Sequence, residues 1–113
     1  MSSDGVLILP AAVEDLRHQS EWYSECAGEV IALRYLSAVE QTLARLTGFP
    51  ESGSARRFKD PRLQGLRSVS LPGAFRVHLV FYRIQSGSLV IFRVMHGMRH
   101  LPQRLTQDPG TKS

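Results

Sequence analysis

Apolar residues in the first part of the chain form a short strand pattern followed by a helical pattern. Val6 to Leu9 is a branched apolar run that ends at Pro10, and proline is tolerated in the first turn of a helix. The run therefore predicts a brief first strand that leads directly into a helix, which ends near Gly28. The stripe of this helix that is expected to face the core consists of Val13, Leu16, Tyr23 and Ala27.

A second helix is predicted after Gly28, and Gly48 and Pro50 are expected to stop it. Its apolar positions recur at alternating spacings of four and three. This pattern gives a narrow seam, which suits packing against the first helix in an antiparallel hairpin. The seam consists of Ala32, Leu36, Val39, Leu43 and Leu46.

The second half of the chain is predicted to contain a basic loop and then an antiparallel meander. Glu51 to Gly65 has no sustained apolar period and is rich in arginine, which indicates a loop. Turn-forming connectors of hairpin length separate the runs that follow it. These strand-like runs are Leu66 to Leu71, Phe75 to Ile84 and Leu89 to Met95.

The order of these elements predicts an α+β fold of the type β-α-α-β-β-β, with an N-terminal helical hairpin packed on a twisted antiparallel sheet. A chain of 113 residues corresponds to one modest core. Residues 1–105 are accordingly predicted to form a single domain. Residues 106–113, which include Pro109 and Gly110 and little that is apolar, are predicted to be a frayed tail.

Alternation along the middle strand assigns its side chains to two faces of the sheet. One set is expected under the helices, and the other includes a cation, an imidazole and a phenol. Such a mixture is typical of a face that is half open or covered by a partner. The first set is Phe75, Val77, Leu79 and Phe81, and the second is Arg76, His78, Val80 and Tyr82.

Composition excludes a disordered chain and favours acidic partners. Apolar residues make up 42% of the chain, which is enough for a packed interior. The net charge of +4 favours nucleic acid, a nucleoprotein or an acidic polypeptide as partner. Of the 14 cationic residues only Lys59 and Lys112 are lysines, and arginine is the side chain whose fork binds phosphate or carboxylate in a bidentate manner.

The sequence predicts neither a disulfide nor a metal site. Cys26 is the only cysteine and is expected to be buried in the first helix. The histidines show no ligand spacing except His96 and His100, and Gly97 with Pro102 opposes the helix that this pair needs. No cofactor is expected. The longest apolar runs are too short to cross a bilayer, which favours a cytoplasmic protein with no membrane partner.

The residues from Gly65 to Leu105 closely resemble the C-terminal half of ParE-type toxins of the RelE/ParE superfamily. The resemblance extends over about residues 6–105. Its matching pieces are Leu66-Arg67, Phe81-Tyr82-Arg83, Val94 to Arg99 and, at the start, Pro10-Ala11 with Asp15-Leu16.

This resemblance implies a toxin of a type II toxin-antitoxin system, of the kind associated with plasmid stabilization. A cognate antitoxin is then expected to wrap and neutralise it, in a complex that can be a higher-order heteromer. ParE-like members poison DNA gyrase and so inhibit growth by blocking replication, whereas RelE-like members cleave mRNA on the ribosome. Because the two branches share a fold, only the chemistry of the site separates them.

RNA cleavage is the alternative mechanism, and it requires particular side chains. Attack by a 2′-hydroxyl needs a base, a cation that stabilises the phosphorane and an acid for the leaving oxygen. The residues that meet these needs are His96, His78, Arg67, Arg76, Arg83 and Tyr82. Since the lysine-rich pattern of RelE is missing, the favoured hypothesis is a binding mechanism with no catalytic residue.

A binding mechanism needs an exposed cationic surface, and the basic loop and the strand ends provide candidates. Arg67 and Arg83 are expected at the same end of the sheet, either as one cationic cluster or paired with Glu40 and Asp60. Trp22 lies off the apolar stripe, either as a partner contact or packed under a loop. The residues expected to contact the antitoxin or the target are Arg56, Arg57, Lys59, Arg62, Arg67, Arg83, Arg93, His96 and Arg99.

Overall fold

A computed structural model describes residues 5–97 and 103–106. The predicted order of two helices followed by a meander is confirmed, and two elements are added to it: a short strand within the basic loop and a short helix near the C-terminus. In chain order the elements are β1 (Val6–Ile8), α1 (Pro10–Ala27), α2 (Glu29–Gly48), β2 (Ser54–Ala55), β3 (Arg67–Ser70), β4 (His78–Gln85), β5 (Ser88–His96) and α3 (Gln103–Thr106).

The two long helices begin and turn where the sequence indicates. Leu9 is still extended, and its N–H donates to the carbonyl oxygen of Ile91 at 3.0 Å, so that the chain leaves the sheet only at Pro10. Gly28 alone connects α1 to α2, at a φ of 96° that an L side chain rarely adopts. The helices pack against each other as the predicted hairpin.

The five strands lie in the order β1-β5-β4-β3-β2. Strands β2 to β5 are antiparallel neighbours, which confirms the meander, whereas β1 pairs with β5 in parallel, with Val6 opposite Leu89. The sheet is therefore mixed. The connection from β1 to β5 contains the helical hairpin and strands β2 to β4, so it is long enough for a parallel neighbour, which a short hairpin turn does not permit.

The prediction for the two faces of the middle strand is wrong. Val80 and Tyr82 lie on the helix side of the sheet, and Leu79 and Phe81 lie on the opposite side. The reason is that β4 begins only at His78, since Phe75 belongs to a short 3₁₀ turn. Both parities of this strand are apolar, so alternation alone does not define which face is covered by the helices.

The helix-free face of the sheet is not left open either. Its core consists of buried side chains from β4 and β5, together with Leu63 from the basic loop, Leu66 immediately before β3, and Leu105 from α3. The chain thus supplies the cover that we had expected from a partner. The frayed tail was predicted from residue 106, and Thr106 instead ends α3, while residues 107–113 lie outside the described part of the chain.

On the helix side, the core joins one stripe of each helix to the sheet. Ala12, Tyr35 and Leu46 are 0% exposed, whereas the predicted stripe residue Val13 is 47% exposed. The predicted stripe of α1 is confirmed at Leu16 and Tyr23, which pack against this core, whereas Val13 and Ala27 are exposed and Ala12 is buried instead. Among the residues described, no helix is long and apolar enough to cross a membrane.

Candidate functional site

A groove lies between α1 and the paired ends of β4 and β5. His78 begins β4 and His96 ends β5, and these two residues are partners across the antiparallel ladder. Their ring centroids are 5.0 Å apart. The groove has a volume of about 350 Å³ and is lined by His18, Gln19, Trp22, Tyr23, His78 and His96.

His78 forms the buried floor of this groove, at 2% exposure. Its Nε2 lies 2.8 Å from the hydroxyl of Tyr23, and its Nδ1 has no hydrogen-bond partner among the described residues. Burial, and secondly the neighbouring His96, lower the pKa of His78 to about 4. The imidazole is therefore neutral at physiological pH and contributes no charge to an anion.

Two phenols and an amide fix the wall of the groove beside His78. The hydroxyl of Tyr35 donates to the side-chain oxygen of Gln19, whose amide nitrogen donates to the carbonyl oxygen of Val94 at 2.7 Å. Burial raises the pKa of both Tyr23 and Tyr35, so both phenols remain protonated and act as hydrogen-bond donors. Gln19 is thus oriented by α2 and β5 together.

Arg93 was predicted to contact a partner, but it is 4% exposed and is bound inside the protein. Its Nε and Nη2 donate to the two carboxylate oxygens of Asp15 at 2.7 and 2.8 Å, a bidentate pair. Its Nη1 donates to the carbonyl oxygens of Arg104 and Leu105 at 3.3 Å. Arg93 therefore connects α1, β5 and α3, and it does not form part of a contact surface.

Tyr82, a candidate proton donor for RNA cleavage, is 0% exposed. Its hydroxyl donates to the carbonyl oxygen of Pro50 at 2.7 Å and accepts from the N–H of Gly53 at 2.9 Å. Arg67 supports the same segment, since its Nη1 donates to the carbonyl oxygens of Glu51 and Gly53 at 3.1 and 2.8 Å. Both residues hold the start of the basic loop on the sheet.

The predicted cluster of Arg67 with Arg83 does not form. Arg67 is opposite Tyr82 in the ladder and shares its face, whereas Arg83, the next residue after Tyr82, points to the other face. The Nη2 of Arg83 donates to the carbonyl oxygen of Arg62 at 2.8 Å, and its guanidinium lies 5.2 Å from the ring centroid of Phe92.

The alternative pairing of those arginines with Glu40 and Asp60 is not observed either. Asp60 instead binds Arg62, whose Nη2 lies 2.7 Å from its Oδ2, and this contact lowers the pKa of the Asp60 carboxyl. Arg76 is exposed, and its Nη1 lies 3.4 Å from the carbonyl oxygen of Gly73.

Of the remaining predicted contact residues, three lie on the basic loop and one lies outside the described residues. Arg57 and Lys59 are exposed on the basic loop, and Arg56 is half-buried there. Arg99 lies outside the described residues, as does His100. Within residues 5–97 and 103–106, no three His, Cys, Asp or Glu side chains converge in a way that could hold a metal ion.

Exposed apolar side chains lie on the helical hairpin, and of these Trp22 lines the groove. Trp22 is 58% exposed and contacts the edge of Tyr23 at a centroid distance of 5.1 Å, so it is not packed under a loop. Cys26, one turn further along α1, is exposed, and its predicted burial is wrong. Val30 and Leu33 on α2 are 62% and 58% exposed.

Sequence reasoning missed most of the residues that α1 contributes to the site. Asp15, Gln19 and Tyr23 follow one another at spacings of four, as do His18 and Trp22, so each set lies on one side of the helix. The signal that could have indicated them is the spacing of four, which places the polar side chains of Asp15 and Gln19 on the same side of the helix as Tyr23. Both bond to β5.

Comparisons with known proteins agree with this architecture. A family model described as "ParE toxin of type II toxin-antitoxin system, parDE" matches residues 6–101. A solved chain titled "Chromosomal ParDE TA system from P. aeruginosa" superimposes with a TM-score of 0.67 at 18% sequence identity, covering 85% of this chain and 100% of that one. No curated protein matches the sequence. Because the family model extends over most of the chain, the chain belongs to the ParE toxin family of type II toxin-antitoxin systems.

Proposed function

We propose that this protein arrests growth by binding DNA gyrase or a related replication target in the cytoplasm, and that a cognate antitoxin neutralises it by covering its surface. The family supplies the toxin-antitoxin context. The choice of a binding mechanism over RNA cleavage is supported by the positions of the candidate residues.

The observation that supports this choice most directly is the dispersal of the side chains that RNA cleavage requires. His78 and His96 meet in the groove, but no arginine is among the described residues that line it. The hydroxyl of Tyr82 is engaged with the basic loop, and Arg67 binds backbone carbonyls beside it. Two arginines beside the groove are engaged within the protein: Arg17 pairs with Glu14 and Glu21, and Arg104 donates to the carbonyl oxygen of His96 at 2.8 Å. A base whose neighbouring cations are engaged elsewhere is a poor cleavage site, because the developing phosphorane charge is not stabilised.

Neutralisation by an antitoxin is supported by the exposed apolar side chains of the helical hairpin. Trp22, Val30 and Leu33 are each more than half exposed. Large apolar residues exposed together are typical of partner-binding surfaces, and tryptophan is enriched among the residues that carry binding energy. The net charge of +4 favours an acidic partner segment around this apolar contact.

The decisive experiment expresses the chain alone from an inducible promoter. We expect SOS induction and gyrase-linked DNA breaks together with intact mRNA. Co-expression of the short reading frame adjacent to the gene is expected to restore growth. Cleaved mRNA without DNA breaks would reject the gyrase proposal and favour the endonuclease alternative.

A His96→Ala variant separates the two mechanisms at the level of one side chain. The His96 imidazole is the exposed member of the pair in the groove, so an RNA-cleaving toxin that depends on it would lose activity. We expect this variant to remain toxic, with growth inhibition within about threefold of the parent, since one exposed contact contributes less than about 1 kcal/mol in most interfaces. His18→Ala, in the same groove, is the matched control.

A further inference from the structure

A second cavity lies on the helix-free face of the sheet, at the edge where β2 pairs with β3. It has a volume of about 210 Å³, and its polar lining includes Arg56, Gly53 and the four serines Ser52, Ser54, Ser68 and Ser70. It shares no lining residue with the groove beside α1. No acidic residue is among the described residues that line it.

Arg56 is held in a fixed position in this cavity. Its Nε donates to the hydroxyl oxygen of Ser68 at 2.7 Å, and its guanidinium carbon lies 5.8 Å from the ring centroid of Phe81. Its backbone N–H donates to the carbonyl oxygen of Leu66 at 2.8 Å. The guanidinium is thus pre-positioned, which reduces the entropy that a bound anion would have to overcome.

The donors that remain have no acceptor within the described residues. Only the Nε of Arg56 is engaged by a side chain, so its two terminal nitrogens are available. Ser68, which is 4% exposed, accepts from that Nε and therefore directs its own proton elsewhere. By contrast, Arg62 and Arg17 are already neutralised by Asp60 and by glutamates.

We propose that this cavity, which we call the serine-arginine pocket, binds a phosphate group. A planar guanidinium fork with several hydroxyl donors and no carboxylate matches an anion with tetrahedrally arranged acceptor oxygens. A planar carboxylate has only two oxygens and leaves some of these donors unmatched. The phosphate belongs either to a free nucleotide or to a nucleic-acid backbone, and the pocket is independent of the toxin mechanism proposed above.

The test follows backbone amide signals of ¹⁵N-labelled protein during titration with inorganic phosphate. We expect shifts centred on Ser52 to Arg56 and Ser68 to Ser70. In Arg56→Gln the affinity should fall at least about fivefold, which corresponds to the loss of about 1 kcal/mol. Arg57→Gln removes the same charge from an exposed neighbour and should change the affinity less than about twofold.

Ser68→Ala keeps every charge and removes only a hydroxyl, so it tests the geometry if Arg56→Gln does not fold. It should weaken phosphate binding about threefold to tenfold while the melting temperature confirms a folded protein. Equal losses in Arg56→Gln and Arg57→Gln would show unspecific attraction to a basic surface and would overturn the proposal. Unchanged affinity in Ser68→Ala would overturn it as well.

The source of the phosphate is then assigned with three probes at matched salt concentration. Tighter binding of ADP than of an eight-residue oligothymidylate assigns the pocket to a free nucleotide, and the reverse order assigns it to a nucleic-acid backbone. The third probe is a hexaglutamate peptide. If only this peptide binds, and Arg56→Gln abolishes its binding, the pocket is a carboxylate site and the phosphate proposal is wrong.

Discussion

At the scale of single residues, several side chains that sequence patterns place on an open face or a contact surface are buried with partners. Tyr82, His78 and Arg93 are 0%, 2% and 4% exposed. Tyr82 bonds to Pro50, His78 to Tyr23 through its Nε2, and Arg93 to Asp15, and these bonds reduce the cost of burying polar groups.

The buried imidazole of His78 makes the stability of the fold depend on pH. Its pKa in the folded protein is about 4, below the ordinary value of 6.5, so the unfolded chain takes up the proton first. The contribution of the neutral imidazole to the unfolding free energy is therefore complete above about pH 6.5. It is lost as the pH falls towards about 4, and the loss reaches up to about 3 kcal/mol. The measurement is the free energy of unfolding in urea at several pH values across this range.

His78→Phe is expected to flatten that pH dependence, since the phenyl ring occupies similar space and does not titrate. His18→Gln, a change at an exposed histidine of the same groove, should leave the pH dependence as it is in the parent. If His78→Phe kept the pH dependence of the unfolding free energy seen in the parent protein, groups other than His78 would be its cause.

At the scale of elements, α1 acts as the missing neighbour of the second half of β5. Strand β1 pairs with β5 only at residues 89–91. Beyond that point the N–H of Val94 donates to Asp15 at 3.0 Å, and its carbonyl oxygen accepts from Gln19. Side chains of a helix thus satisfy backbone groups that an exposed strand edge would offer to other chains.

The ion pair of Asp15 with Arg93 is expected to be strongly coupled. Asp15→Asn and Arg93→Met should each cost about 3 to 5 kcal/mol of unfolding free energy, because each leaves a buried charge without its partner. The double variant should cost far less than the sum of the two. Glu14→Gln, which breaks an exposed pair with Arg17, is the control and should cost much less unfolding free energy than either single variant. If denaturant titrations showed that the double variant loses as much unfolding free energy as the two single variants together, this coupling would be contradicted.

At the scale of the whole molecule, the exposed apolar residues of the helical hairpin and the basic loop lie in different parts of the fold. Trp22 and the exposed residues of α2 lie on the helical hairpin, whereas Arg56, Arg57 and Lys59 lie on the loop that crosses to the helix-free face. One partner can therefore cover the hairpin while a different ligand occupies the loop side.

This separation predicts that Trp22 contributes to antitoxin binding, provided that the proposed function holds. Trp22→Ala should weaken the complex with the purified antitoxin at least about tenfold, as large exposed aromatic anchors commonly do. Phe49→Ala is the matched control, because Phe49 is 69% exposed and does not line the groove. Equal weakening by both variants, measured by calorimetry, would argue against a specific role for the groove.

Local patterns in the sequence determined the elements of this protein. Pro10 and Gly28 mark helix ends because their backbones restrict or permit particular dihedral angles without help from the rest of the fold. The three runs of the meander were likewise visible, since their connectors are short turns. The resemblance of residues 65–105 to ParE-type toxins was also present in the sequence, and the family model confirms it.

Only the tertiary structure decided which face of β4 meets the helices, that β1 joins in parallel, and which residues form the groove and the serine-arginine pocket. A one-residue change of parity exchanges the two faces of a strand, and both parities of β4 are apolar. The partners of Asp15 and His78 lie 78 and 55 residues away along the chain, so no local pattern indicates them. Elements follow from local dihedral preferences, whereas sites depend on contacts that form only when distant segments pack together.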